Sequence, residues 1–509
     1  MSCSIIYKQA FRLFGLFLSL STAQTPDLVP YANPMGLSQD LTSWLAVTND
    51  SQANICKVRM FNNINIPEAA IGTVIASQSR KDPDYAYNWV RDAAFTMDSV
   101  YDFYTAASNP LAQSAYEAIL FQYAQARASE QNDRNTAAGL GEPRFYLNNS
   151  VFTRPWGRPQ NDGPAESATT LMEFANAYLD NNGSVETVRQ HIYDSNTYPA
   201  QAPVQRDLLY VATNWSSPSF DLWEEESSDH FFNRIVSHRP LRMGATFAVR
   251  LSDSDTSILF ATAANAIGAT LSNFWDSERQ LIVYELGPVL VNKASYKDIA
   301  VILGVLHGYA EDGMFSYTND QVLASAFQIS TSFLAVYPIA KVTTDSAGLI
   351  LGIPVGRYPD DVYNGTDTEP NGGNPWFLAT ATMAEMFYHA AYDFQSTGNI
   401  TVSATSLPFW TYFAPTALLS AGSTYHKDSL EFQAAILALE GWADAFMRRI
   451  KFHFPADGRL AEEYNRIDGV NTGATDLTWS YASVLKAAFA RAKLMNNESY
   501  VTDLANLGF

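Results

Sequence analysis

The sequence predicts an all-α protein, and three observations carry that expectation. Apolar residues recur at helical spacing along most of the chain, strand-like alternation is scarce, and Ala is frequent at the packed positions. A small side chain there lets two helices approach closely. The clearest periodic segment is Leu171, Phe174, Ala175, Tyr178 and Leu179, at i, i+3, i+4, i+7 and i+8, which is one face of a helix. Further long helices are predicted over 111–131, 255–275, 321–336, 376–394, 430–452 and 476–495, with helical patterns dominating from about Met97 onward.

The stretch 24–67 is mixed, with one apolar patch at 41–47. Between the helices lie polar loops rich in Gly, Pro and Trp, at 139–164, 215–229, 352–375 and 456–476. A helical scaffold with long loops places function in those loops. No fixed-period repeat and no Ser/Thr/Pro-rich linker interrupts the chain. One compact domain over 24–509 is expected, with no appended C-terminal module.

Composition narrows the function classes. Of the 509 residues, 47% are apolar and 17% charged, which excludes intrinsic disorder. The 27 Tyr, 30 Phe and 10 Trp can fill a core or line a pocket that stacks on flat ligand faces. A formal net charge of −20 repels phosphate backbones and anionic headgroups, so neither nucleic acid nor a membrane surface is an expected partner.

At the N-terminus, Lys8 and Arg12 precede an apolar run over 13–20, followed by small residues Ser21 and Ala23. This pattern predicts a secretory signal peptide, 1–23. The run is too short to span a bilayer, which takes about 20 apolar residues. Asn-x-Ser/Thr sequons at Asn49, Asn148, Asn182, Asn214, Asn364, Asn399 and Asn497 fit the same route. Only Cys3 and Cys56 occur, so the mature chain has a single thiol, read as structural, and a zinc-thiolate site is excluded by count.

No phosphate loop, HExxH or GxSxG motif is present, and the seven His are scattered. Carboxylates and Trp stand out in the loops instead. The segment 217–228 places Asp221, Glu224, Glu225 and Glu226 around Trp223. Crowded carboxylates and an adjacent indole both raise a carboxyl pKa, which makes a proton donor. A second acidic site, Glu462 and Glu463, lies before the last helix. Taken alone, the first segment reads better as an acidic helix start, and the second as readily as a solvated pair. Two separated carboxylate loops also suit glycoside hydrolysis, which needs two carboxyl groups flanking one bond. Arg91 and Asp92 amid Tyr85 and Trp89, Arg357, and Trp156 in a Gly/Pro-rich loop supply the polar forks and aromatic faces of a sugar pocket.

These segments together resemble the fungal glucoamylases of glycoside hydrolase family fifteen. The matching stretches are DPDYAYNWVRD (82–92), GLGEPRF (139–145), WGRPQNDGPA (156–165), FDLWEEESS (220–228), VGRYPDDVYNG (355–365), GNPWFLAT (373–380), LAEEYN (460–465) and DLTWSYA (476–482). They follow the family's order across nearly the whole mature chain. The resemblance implies an (α/α)6 barrel, a six-hairpin toroid. It implies exo-hydrolysis of α-1,4 bonds, and more slowly α-1,6 bonds, at non-reducing ends, releasing β-D-glucose with inversion. Glu224 resembles the general acid and Glu462 the general base. Arg91, Asp92 and Arg357 match residues that grip the terminal glucose, Leu222 and Trp223 match its backbone contacts, and Glu225 matches a contact to the next sugar. Tyr85, Trp89, Trp156 and Trp479 match the aromatic wall. Asp221 is the rival base or a support for its loop. A base must face the sugar from the side opposite the acid, which a distant loop achieves more readily than a residue three positions away.

Departures from the family pattern are Glu463, where many members carry Gln, and Gly473, where some carry a Ser that helps hold the base. A less constrained Glu462 is therefore expected. The stretch 366–372 reads as an insertion beside the sequon at Asn364, and the family's starch-binding module is not seen. No cofactor or metal is expected, and the protein is expected to be a secreted monomer acting on α-glucan. The readings left beside this one are another inverting α-glucosidase, such as an α,α-trehalase, and an inert glycan-binding protein.

Overall fold

The computed structural model describes residues 31–509. The predicted signal peptide and Cys3 lie outside the described residues. Twelve helices form six consecutive pairs: α1 (Gln52–Phe61) with α2 (Val90–Ala106), α3 (Pro110–Gln131) with α4 (Asp162–Asp180), and α5 (Val204–Asn214) with α6 (Phe231–Arg250). The other three pairs are α7 (Ser254–Leu271) with α8 (Ala300–Gly308), α9 (Asp320–Ser332) with α10 (Phe377–Thr397), and α11 (Leu430–His453) with α12 (Thr478–Leu494). The even-numbered helices touch in a closed ring, from α2 through α4, α6, α8 and α10 to α12 and back to α2. The odd-numbered helices lie outside it, α1 on α12, α3 on α2, α5 on α4, α7 on α6, α9 on α8 and α11 on α10. This is the (α/α)6 barrel that the resemblance implies.

The two rings form for different reasons. Five of the six outer helices open on a side-chain cap, in which Ser51, Asn109, Asp253, Asn319 or Ser429 accepts a backbone N–H of the first turn. They bury one face and leave the other wet, as an amphipathic stripe requires. None of the six inner helices has a side-chain cap at its start. They are held by burial; in α8 every residue except His307 is buried. One apolar cluster runs from Tyr31 to Ala505, with Val90, Phe145 and Val151 as a small separate group.

The predicted helices are present with ends shifted by a few residues; the segment predicted over 255–275, for example, ends as α7 at Leu271 and continues as a short 3-10 turn. Helical structure also begins earlier than Met97, with α1 and α2, and α5, α6 and α8 were not expected from periodicity. Helix α8 is apolar on nearly all sides and has no stripe to read, α6 mixes Arg and His into its face and carries an internal Pro240, and α5 has a stripe too short to stand out from its surroundings. Strands are confined to five antiparallel pairs of two or three residues each among the described residues, all in the connecting loops. No described helix is long and apolar enough to cross a membrane. Cys56 is fully buried, and desolvation pushes its thiol up to about 12, which leaves it inert.

Candidate active site

The inner helices all begin at one end of the barrel, and the loops that lead into them meet there. They enclose a cavity of ≈ 340 Å³ lined by Tyr85, Trp89, Arg91, Asp92, Trp156, Leu222, Trp223, Glu224, Glu225, Arg357, Glu462 and Trp479. Every residue that the resemblance matched to the site is in that lining except Asp221, and Glu226 and Glu463 also lie outside it. Tyr363, Thr368 and Trp376 line it too and were missed. Tyr363 and Trp376 lie inside the segments 355–365 and 373–380, whose aromatics gave the only signal that could have found them.

The segment around Trp223 is not a helix start. Ser219–Phe220 pairs with Ser227–Ser228 in an antiparallel ladder, and the acids occupy the tight turn between them. At its tip Glu224 takes φ +66°, a left-handed conformation that costs a non-glycine residue energy and is found where geometry serves function. Trp89 Nε1 and Gln160 Nε2 both donate to Oε1 of Glu224, at 2.8 and 2.9 Å. Oε2 is left for another partner.

Asp221 points away from the cavity. Its carboxylate accepts the backbone N–H groups of Glu225 and Glu226 and pairs with Lys293 at 3.1 Å. The Lys293 ammonium is the main force that, against burial, holds Asp221 down at about 2. Lys293 is itself buried and also meets Glu225 at 3.0 Å and Glu226 at 3.4 Å. Nothing in the sequence around Lys293 pointed to it. Glu225 is shared by Lys293, by Arg357 at 2.9 Å and by the Tyr358 hydroxyl at 2.9 Å. Arg357 forks onto Asp361 through Nε and Nη2 at 2.7 and 2.6 Å.

Glu462 sits across the cavity in a different environment. It and Glu463 are 1% and 0% exposed, so they are no solvated pair. Glu462 accepts the Tyr363 hydroxyl at 3.1 Å and the Ala474 N–H at 3.2 Å, and Tyr85 bonds Tyr363 at 3.0 Å. Burial still outweighs these donors and pushes its carboxyl up to about 7. The expectation of a less constrained Glu462 is corrected here. Gly473, at φ +72°, lets the backbone pass so close that an added Cβ would lie 2.5 Å from Oε2 of Glu462. Tyr363 and the Ala474 amide hold the carboxylate instead. Glu463 receives Asn374 Nδ2 at 2.8 Å and is pushed well above the usual carboxylate range by burial.

Arg91 donates to Gln160 at 2.9 Å and to Asp162 at 3.0 Å. Asp92 beside it is raised to about 6 by burial. Oδ2 of Asp92, which faces Arg91 at 3.5 Å, and the indole N–H of Trp156 and Trp376 accept or donate no hydrogen bond among the described residues. Buried polar atoms left open in a cavity are groups waiting for a ligand's hydroxyls. The 366–372 stretch forms a rim: Thr368 bridges Tyr363, and Asn364 Oδ1 accepts the amides of Thr366 and Asp367.

A family model described as "Glycosyl hydrolases family 15" matches residues 55–489. The chain belongs to this family. It is 56% identical over 489 residues to a glucoamylase of Blastobotrys adeninivorans, covering 96% of this chain and 78% of that one. It is 36% identical to glucoamylase 1 of Rhizopus oryzae, over 91% of this chain and 73% of the relative. Among solved structures, the glucoamylase of Saccharomycopsis fibuligera superposes with a TM-score of 0.79 at 30% identity, covering 92% of this chain and 98% of that one. As a member of family 15 the protein is a glycoside hydrolase.

Proposed function

We propose that the enzyme removes glucose from the non-reducing ends of starch, glycogen and maltooligosaccharides. It cleaves α-1,4 bonds, and α-1,6 bonds more slowly, with inversion to β-D-glucose. The observation that carries this reading is the meeting of Glu224 and Glu462 across one aromatic-walled cavity, from loops that lead into different inner helices. Glu224 acts as the general acid. With Oε1 engaged by Trp89 and Gln160, Oε2 is the oxygen that carries its proton to the departing glycosidic oxygen. Glu462 takes a proton from the water that attacks the anomeric carbon from the opposite face. A raised pKa makes Glu462 a stronger base once it is ionised, and Tyr363 and the Ala474 amide stabilise that ionised form.

Arg91, Asp92 and Arg357 hold the hydroxyls of the terminal glucose, and the backbone of Leu222 and Trp223 completes its seat. Glu225 reaches the next sugar. Tyr85, Trp89, Trp156 and Trp479 supply the apolar faces that sugar C–H patches stack on. Asp221 supports the turn that presents Glu224. The chain enters the secretory pathway through its N-terminal segment, and the exposed sequon residues Asn49, Asn148, Asn182 and Asn497 are open to glycosylation there.

Initial rates of the purified protein on maltose, maltoheptaose, isomaltose and trehalose test the reading. Maltoheptaose and maltose should be cleaved, isomaltose more slowly, and trehalose left intact. Preferential cleavage of trehalose would establish the trehalase reading, and no cleavage of any of the four would establish the binding protein.

A further inference from the structure

A second cavity, of ≈ 1030 Å³, opens at the other end of the barrel. Its lining comes from the middle and C-terminal parts of the inner helices and from the segment after α8. Asp98 and Asp102 lie on α2, Glu173 on α4, Arg239 on α6, Glu385 and His389 on α10 and Lys486 on α12, and Tyr309 and Tyr317 follow α8. Three rings separate it from the catalytic cavity. Trp479 lines the catalytic side, Phe95 packs on it at 5.0 Å, and His307 stacks on Phe95 at 3.9 Å and faces the distal side.

The distal lining is built from opposed charges. Lys486 bridges Asp98 at 2.8 Å and Asp102, and Arg239 pairs with Glu173. Asp393 lies near His389 and Lys493. Lys486 and Arg239 cover Asp98, Asp102 and Glu173, whereas among the described residues Glu311 and Asp393 carry no ion pair, and those residues contain no cluster able to hold a metal. What remains is a dense set of hydrogen-bond donors and acceptors beside aromatic faces. Tyr317 stacks on His389 at 4.6 Å with rings 16° apart, and Tyr309 meets Tyr317 edge-on at 5.4 Å. This is the chemistry of the catalytic lining, where Arg91 and Asp162, and Arg357 and Glu225, are paired beside Trp and Tyr. The volume is that of a small-ligand pocket.

We propose that the distal cavity is a second, non-catalytic binding site for a short neutral saccharide, seated on Tyr317 and hydrogen-bonded by the paired charges around it. The proposal does not depend on the roles given to Glu224 and Glu462. The test is calorimetric titration of the full-length Glu224→Gln/Glu462→Gln protein with maltotriose, repeated with Tyr317→Ala added. Two molecules should bind per chain, and Tyr317→Ala should weaken one of them at least tenfold while leaving the other unchanged. Glu385→Gln serves as the second variant if Tyr317→Ala does not melt cooperatively, with the same site weakened. A single bound maltotriose that neither Tyr317→Ala nor Glu385→Gln weakens would overturn the proposal and leave the catalytic reading intact. A second event untouched by either substitution, or a cavity that takes spermidine and not maltotriose, would overturn it as well. Binding at the distal cavity alone would support it and count against the catalytic reading.

Discussion

The two acidic loops of the catalytic cavity differ in what surrounds them. The turn that carries Asp221, Glu224, Glu225 and Glu226 is built on cations: buried Lys293 reaches Asp221, Glu225 and Glu226, and Arg357 reaches Glu225. The loop that carries Glu462 and Glu463 is built on neutral donors, the Tyr363 hydroxyl, the Ala474 amide and the Asn374 side chain. The consequence is visible in the carboxyls. Asp221 is held at about 2, whereas Glu462 is pushed up to about 7. Burial acts on both; at Asp221 the Lys293 ammonium together with two backbone N–H donors outweighs it, and at Glu462 the neutral donors do not. Crowding of acids, which the sequence shows, is a poor guide to which of them is raised.

The largest expected effect falls on the two reacting carboxyls themselves. Glu224→Gln removes the transferable proton and Glu462→Gln removes the base. Each should lower kcat on maltoheptaose by about 10²–10⁴-fold with little change in KM. Asp221→Asn, outside the cavity, should lower it less than Glu462→Gln; the reverse order in steady-state kinetics would move the role of base to Asp221.

Next in size is the loss of the cation. Lys293→Met would leave Asp221 and Glu226 without their buried cation, while Glu225 keeps Arg357. Breaking a buried ion cluster by removing one partner costs about 3–5 kcal/mol, which denaturant unfolding can read. The same substitution should also raise the carboxyl of Asp221. A variant as stable as the parent would show that the turn does not rest on Lys293.

A smaller effect is expected on the neutral side. The Tyr363 hydroxyl donates to Glu462 and favours its ionised form, so Tyr363→Phe should raise the pKa of Glu462 further. The base must be ionised to act, so activity is lost as pH falls through that pKa. The acid limb of the kcat/KM profile should therefore move to higher pH. A hydrogen bond to a charged group is worth about 1.5–3 kcal/mol, which corresponds to a displacement of about one pH unit or more. An unmoved acid limb with a moved alkaline limb would mean that Glu462 works protonated.

Legibility in the sequence follows the division between exposed and buried only in part, since inner α4, α10 and α12 were readable and outer α1 and α5 were not. Outer helices such as α3, α7, α9 and α11 announce themselves by a cap residue and a wet face. Inner helices α6 and α8 have neither, and their existence follows only from a ring that no local pattern records. At the site, Trp and carboxylate in Gly/Pro-rich loops marked the cavity, and the segment resemblance named its residues. Lys293 and Gln160 stayed hidden because a lone Lys and a lone Gln carry no signal until the fold brings them to Asp221 and Glu224. The hold of Tyr363 on Glu462 was hidden for the same reason, and the close approach at Gly473 is a property of backbone shape.

The central claim is that Glu224 gives a proton while Glu462 activates water on the opposite face in a single displacement. The anomer released first reports this most directly. Proton NMR of maltoheptaose hydrolysis, followed from the first minutes before mutarotation, should show β-glucose accumulating ahead of α-glucose. Initial release of α-glucose would contradict the account, because it requires a second displacement that a base-activated water does not make.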